Sequence, residues 1–402
     1  MTETAARRPP RPTRRALLLT GSAAALTVAG CTDLGRDGGD DEDGDDGSGP
    51  AAELRASECR APEDFPEEEL RTELEDARDE LEDGAVTDPS PAGPDSERRL
   101  DARVLSVSPD GALLIAREAW DRAALGLVED AGALIWETAT GALYGRLPVG
   151  GGTIAWHPDG DRLAVAGELA VDIVDQEGAP LQHLLGHWPV DTGLGELIAE
   201  VASSADGEWL ASRGIDGSVR LWRDPGAACE VGEVLDLRDI YPQSLAFGPE
   251  GTLLAVAGEK GPIRLYDLEQ SDLVEEIDAG DTYISPPLFS PDGSLFWSAA
   301  GEGGLRVRAT DGSTRTVPGP EGYEPSSFVA AADGRIAMIS APGDIVAVWD
   351  PETDEVEELT GAPTTTERLV WSPDATVLYA LSTTDGVVAW DGAAWQGFEL
   401  PG

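Results

Sequence analysis

Ser108-Pro109-Asp110-Gly111 is the first of seven related phrases, and their spacing decides the fold. It returns as His157-Pro158-Asp159-Gly160, Ser204-Ala205-Asp206-Gly207 and Gly248-Pro249-Glu250-Gly251. It returns again as Ser290-Pro291-Asp292-Gly293, Ala331-Ala332-Asp333-Gly334 and Ser372-Pro373-Asp374-Ala375. Between successive first residues the intervals are 49, 47, 44, 42, 41 and 41. A repeat of ~40–45 residues with a fixed turn in each copy is the sequence mark of propeller blades. The Asp-Gly pair suits a tight hairpin, because glycine accepts positive φ and aspartate tolerates it.

The flanks of each turn alternate as strands do. Before it the order is apolar, small, apolar: Leu105-Ser106-Val107, Ile154-Ala155-Trp156, Leu245-Ala246-Phe247, Leu369-Val370-Trp371. A second apolar run follows, as in Leu113–Ile115, Leu163–Val165, Leu253–Val256 and Val377–Leu381. Period-two runs rich in aromatic and β-branched residues predict half-buried strands. A third run ends in phrases such as Ile135-Trp136-Glu137, Leu221-Trp222-Arg223 and Trp349-Asp350, and a fourth, more polar run includes Leu143–Leu147, Asp272–Ile277 and Glu355–Leu359. The expected fold is all-β: a seven-bladed β-propeller of four-stranded antiparallel blades over residues 98–402. No apolar alternation in Gly84–Glu97 offers a borrowed strand, so the ring is expected to close without strand exchange.

These phrases resemble the WD-repeat family over residues 100–400. Trp349-Asp350 and Trp390-Asp391 are the family's Trp-Asp dipeptide, Tyr266-Asp267 is a near form, and Gly186-His187 matches its Gly-His. The resemblance implies an internal hydrogen-bond set of His187, Ser212, Asp216 and Trp222 in one blade. The other blades depart: most lack the Gly-His, and Arg308 stands where the aromatic belongs.

The first 97 residues read differently. Residues 1–30 have the order of an export signal: basic Arg7, Arg8, Arg11, Arg14 and Arg15, then the weakly apolar Ala16–Gly30. That stretch is shorter than the ~20 residues needed to span a bilayer. Arg14-Arg15 resembles a twin-arginine signal, and Val28-Ala29-Gly30-Cys31 resembles a lipobox whose Cys31 is the lipidated first residue of the mature chain. Residues 31–57 are expected to be a disordered tether, with Asp40–Asp46 almost wholly acidic. This run lacks the Gly and Glu that a calcium loop needs at its sixth and twelfth positions. Residues 58–97 hold one short predicted helix, Pro66–Asp83, and a linker; Leu70, Leu74, Ala77 and Leu81 share its face. Cys59 and Cys229 remain as an even pair, which invites a disulfide outside the cytoplasm.

Of the net charge of −49, residues 1–30 contribute five Arg and one Glu, and residues 31–97 contribute 25 acids and five bases, leaving −33 on residues 98–402. Lys260 is the only lysine. So acidic a domain is unsuited to nucleic acid, which needs basic surface. Protein partners are expected to be basic or neutral, with membrane attachment through the lipid on Cys31 on the outer, extracytoplasmic face.

Candidate chemistry is sparse. No phosphate loop, nucleophile elbow or zinc spacing occurs, so no metal or cofactor is expected. The inner-strand positions where some propeller enzymes hold metals read Leu105, Ile154, Val201, Leu245, Pro287, Phe328 and Leu369. Two connections, Glu118–Gly132 and His187–Glu200, read as long loops. With Trp120, Trp188, Tyr241, Tyr283 and Tyr323 they form a candidate binding face, since Tyr and Trp supply contact area at low entropy cost. The reading is a non-catalytic interaction platform. The alternatives are a ligand-sensing lipoprotein using the channel, and a propeller hydrolase or dehydrogenase.

Overall fold

The computed structural model describes residues 97–398, apart from 123–126, 148–151, 168–169, 177, 188–197, 224–232, 238, 259–260, 281, 300–303, 318–324 and 341–344. Every regular element there is a strand, and the strands form seven four-stranded antiparallel sheets. Each sheet uses four consecutive strands, so the ring closes without strand exchange. Blade 1 spans Glu97–Leu147, blade 2 Ile154–Leu184, blade 3 Ile198–Asp236 and blade 4 Pro242–Ile277. Blades 5, 6 and 7 span Leu288–Val317, Pro325–Glu358 and Thr366–Gly397. In each, the first strand is innermost and the fourth lies at the rim.

No blade has a core of its own. The buried side chains gather in seven clusters among the described residues, and each cluster is shared by two neighbouring blades. Ile115 and Ile135 of blade 1 meet Trp156 and Leu163 of blade 2. The last seam joins Leu114 and Trp136 of blade 1 to Tyr379, Leu381 and Val387 of blade 7. Each sheet thus buries both faces only when the ring is complete, which is why apolar residues occupy both sides of the second and third strands.

The repeated turn is built by its serine and aspartate. Ser108 Oγ donates to Asp110 Oδ1 at 2.6 Å and accepts from the Leu113 amide at 2.9 Å, while Asp110 Oδ1 accepts from the Ala112 amide at 2.9 Å. Blades 3, 5 and 7 repeat the hydroxyl–carboxylate bond at Ser204–Asp206, Ser290–Asp292 and Ser372–Asp374. These bonds hold the Asp110 and Asp374 carboxyls below the usual range, with the serine hydroxyl the largest cause in each. Neighbouring turns also touch: His157 Nε2 lies 3.2 Å from the Gly207 carbonyl oxygen, and the Pro373 ring lies against Gly111 across the closing seam.

Two elements depart from the sequence expectation. The stretch Glu118–Gly132 is not a loop: the second strand runs Leu113–Arg122, the third runs Leu127–Glu137, and Arg122 pairs with Leu127. The first strand extends with them from Glu97, pairing Arg98 with Trp120. Hydrogen bonding along the backbone sustains this extension where no apolar alternation marks it. Blade 5 is the converse. Its inner strand is only Leu288–Phe289, because Pro286 and Pro287 precede it and have no N–H for the ladder.

Close packing makes one substitution informative. A methyl group on Gly258 would stand 2.3 Å from the Ile240 carbonyl oxygen, whereas one on Gly145 would meet nothing within 4 Å. Gly258→Ala is expected to cost about 1–3 kcal/mol and lower Tm, with Gly145→Ala neutral or better. Thermal unfolding of the two variants checks this; equal Tm values would contradict the packing described.

Candidate functional site

The end of the ring opposite the Asp-Gly turns carries the connections between blades, and two tyrosines stand out there. Tyr241 and Tyr283 each sit seven residues before the turn of their blade, at Gly248 and Ser290. Their exposures are 65% and 58%. Tyr241 leaves a tight turn in which its amide donates to the Leu237 carbonyl oxygen at 3.2 Å, and its φ is +48°. A non-glycine residue held in that region costs about 1–3 kcal/mol. Thr365, at the same repeat position in blade 7, has φ +58°. Beside Tyr241, exposed Asp239 accepts two bonds from Arg264, at 3.0 and 2.6 Å, and Arg264 also donates to Glu276 at 3.0 Å. Asp278 and Pro286 are exposed nearby in sequence.

The other sequence-expected face residues are placed differently. Trp120 lies in the extended second strand of blade 1, opposite Arg98 and Glu129 in register. Trp188 and Tyr323 lie outside the described residues, as do Cys31, its lipobox Val28-Ala29-Gly30, the Arg14-Arg15 pair, the tether, the helix over 66–83, and both Cys59 and Cys229.

The internal polar set lies at the seam between blades 2 and 3. His187 follows the outer strand of blade 2 and is fully buried. Its Nε2 is 2.7 Å from Ser212 Oγ and its Nδ1 is 3.1 Å from Asp216 Oδ1. The neutral tautomer that satisfies both donates from Nδ1 to the carboxylate and accepts from the serine hydroxyl. Burial pushes the His187 pKa down, overcoming the opposing pull of Asp216. Gly214 is required beside it, because a methyl group there would stand 2.3 Å from His187 Nδ1. The fourth member differs from expectation. Trp222 packs in the seam, and its Nε1 finds no acceptor among the described residues. Ser218 takes its place, donating to Asp216 at 2.9 Å with its Oγ 3.2 Å from His187 Nδ1. The sequence signal was available in Asp216-Gly217-Ser218, a serine two residues past the aspartate that an Asx turn recruits.

An Asp–His–Ser chain is also the order of a hydrolytic triad. Here Ser212 and His187 are wholly buried, so no substrate carbonyl can reach the hydroxyl. The arrangement fastens the connection between blades 2 and 3.

The inner strand of blade 3 carries a further titratable group. Glu200, on the inner strand of blade 3, pairs with Arg213 Nε at 3.1 Å. Burial pushes its carboxyl up, against the attraction of Arg213 and a bond from the Leu245 backbone. Blade 2 makes the matching inter-blade contact with Thr153 Oγ1, which accepts from the Val201 amide at 2.8 Å. At the inner-strand positions where some propeller enzymes hold metals, Ile154, Val201, Leu245, Phe328 and Leu369 pack into the seams. Among the described residues no group of three His, Cys, Asp or Glu side chains converges to hold a metal.

Comparison with known proteins agrees with the ring. Residues 178–223 match the WD domain, G-beta repeat, a stretch that includes His187, Ser212, Asp216 and Trp222. Residues 236–300 match the WD40 domain of anaphase-promoting complex subunit 4. A WD repeat-containing protein, SL1-17, from Schistosoma mansoni is 29% identical over 151 residues, covering 36% of this chain and 46% of that protein. The match thus covers less than half the relative's length. With seven four-stranded blades in one ring, the chain is a seven-bladed β-propeller, and two of its stretches are similar to WD repeats. Propellers of this kind are generally non-catalytic and bind protein partners.

His187 gives the fold a pH dependence. Its folded pKa is lowered, so the stability it contributes is present above its unfolded value of 6.5 and is lost as pH falls through that value. While the buried imidazole stays neutral, each pH unit below 6.5 costs at most ~1.4 kcal/mol. Glu200 acts in the opposite sense above its unfolded value of 4.5, with stability lost as pH rises. His187→Gln should therefore be less stable at pH 7.5 but lose less on acidification to pH 5.5, as read by urea midpoints. Parallel losses in both proteins would contradict the assignment.

Proposed function

We propose that the protein is a non-catalytic interaction platform, held at the outer face of the membrane by lipid on Cys31. The observation that carries the platform is the pair of exposed tyrosines on the inter-blade end of a ring whose seams are packed with buried side chains. Rigid aromatic side chains on a fixed scaffold recognise partners at low entropic cost. The matches to WD repeats support this class of role. The lipobox around Cys31, the basic start before it and the acidic run after it support the anchor. Two acyl chains or more give stable attachment, at ~0.8 kcal/mol per buried CH₂. The acidic stretch then sets a search radius growing as ~5–6 Å × √n.

Two experiments test the two halves separately. Cells fed a labelled fatty acid should yield labelled protein in the membrane fraction, and Cys31→Ser should lose both label and membrane association. Retention of the label in the variant would refute the anchor. Crosslinking on intact cells should capture a defined partner, and replacing Trp120, Trp188, Tyr241, Tyr283 and Tyr323 by Ala in a folded variant should abolish capture. A partner held equally by that variant would remove this face from the account.

A further inference from the structure

The seam between blades 4 and 5 lacks an inner-end bond that two other seams have. Between blades 2 and 3, and between blades 3 and 4, a side chain of one inner strand accepts the amide of the next: Thr153 from Val201, and Glu200 from Leu245. The corresponding residue of blade 5 is Pro287, which has no N–H to offer Ser244. Blade 5 supplies this seam with buried Leu295 and Trp297 from its second strand, while Phe289 of its inner strand is only partly buried there. In five other seams Ile154, Val201, Leu245, Phe328 or Leu369 is the buried inner-strand residue, while the closing seam between blades 7 and 1 has only partly buried inner-strand residues such as Leu105 and Val370.

Tyr241 and Tyr283 hold the same repeat position in the neighbouring blades 4 and 5. Ile240 beside Tyr241 packs into the seam between blades 3 and 4, and Ile284 beside Tyr283 into the seam between blades 4 and 5. Tyr241 is held outward by a left-handed backbone. Around them the exposed side chains are Asp239, Gln243, Glu276, Asp278 and Pro286, with Arg264 partly buried between Asp239 and Glu276. Two exposed phenol rings and a surplus of carboxylates suit one chemistry in particular. A guanidinium stacks on an aromatic face and is drawn by the surrounding negative charge. We infer that the inter-blade end of blades 4 and 5 receives an arginine-bearing extended segment of the partner protein, gripped through Tyr241 and Tyr283. This rests on the platform reading and names the chemistry of its contact.

The test uses the purified full chain and a fluorescent Gly/Ser peptide carrying paired arginines, with a paired-glutamate peptide as comparison, at physiological salt. Fluorescence anisotropy should show binding of the arginine peptide. Tyr241→Ala and Tyr283→Ala should each weaken it about fivefold. Tyr241→Phe and Tyr283→Phe should keep it, because the ring face and not the hydroxyl makes the contact. Tyr241→Gly should raise Tm while losing affinity, which a purely structural tyrosine would not do. Tyr144, 59% exposed on the rim strand of blade 1, serves as control, and Tyr144→Ala should change nothing. Equal weakening by Tyr144→Ala would show that an exposed tyrosine serves wherever it stands and would overturn the inference. So would wild-type affinity in both Ala variants. If that happened while the five-residue variant still lost its cellular partner, the platform would stand and the arginine chemistry would fall.

Discussion

Apolar contact between neighbouring sheets is the interaction on which the rest of this structure depends. Each blade leaves both faces of its sheet apolar, and only the next blade covers them. Burial at ~25 cal/mol per Å² therefore accumulates around the ring and is complete only when Tyr379 and Leu381 of blade 7 meet Leu114 and Trp136 of blade 1. The serine–aspartate turns act within this frame. They hold the first two strands of a blade at a fixed angle and set each turn against the next.

The two ends of the ring are consequently unlike. At the turn end, short hydrogen bonds satisfy the polar groups locally, and the same serine–aspartate bond recurs in four of the seven turns. At the other end the connections vary in length and chemistry, and Tyr241 is held in a costly backbone conformation. Strain of that kind persists where the surroundings over-determine it, and it is the position of a side chain that is thereby fixed. The buried Asp216–His187–Ser212 chain belongs to the scaffold, since its side chains are removed from solvent.

The sequence makes the periodic parts legible and the aperiodic parts obscure, for physical reasons. Ser108-Pro-Asp-Gly and its kin mark each hairpin because turn chemistry is local. The inter-blade burial of Ile154 and Leu369 follows from period-two alternation, once two blades cover one sheet. The strand extension at Glu118–Arg122 escapes this reading, because backbone pairing with Glu97–Asp101 and Leu127–Gly132 carries it and no apolar alternation marks it. Blade 5 is marked by Pro286-Pro287, yet that pair reads as an ordinary loop until the ladder beside it is seen to stop at Ser285 and resume at Leu288. The place of Ser218 in the His187 set is set by three-dimensional reach, and the family pattern points to Trp222 in its stead.

Hydrogen exchange on the full chain, alone and in the complex recovered from intact cells, tests most directly whether the inter-blade end is the working face. The account predicts slowed exchange at residues 239–243 and 282–285 in the complex, with the Asp-Gly turns of all seven blades unchanged. Protection that falls instead on those turns, or on the rim strands such as Leu143–Leu147, would contradict it.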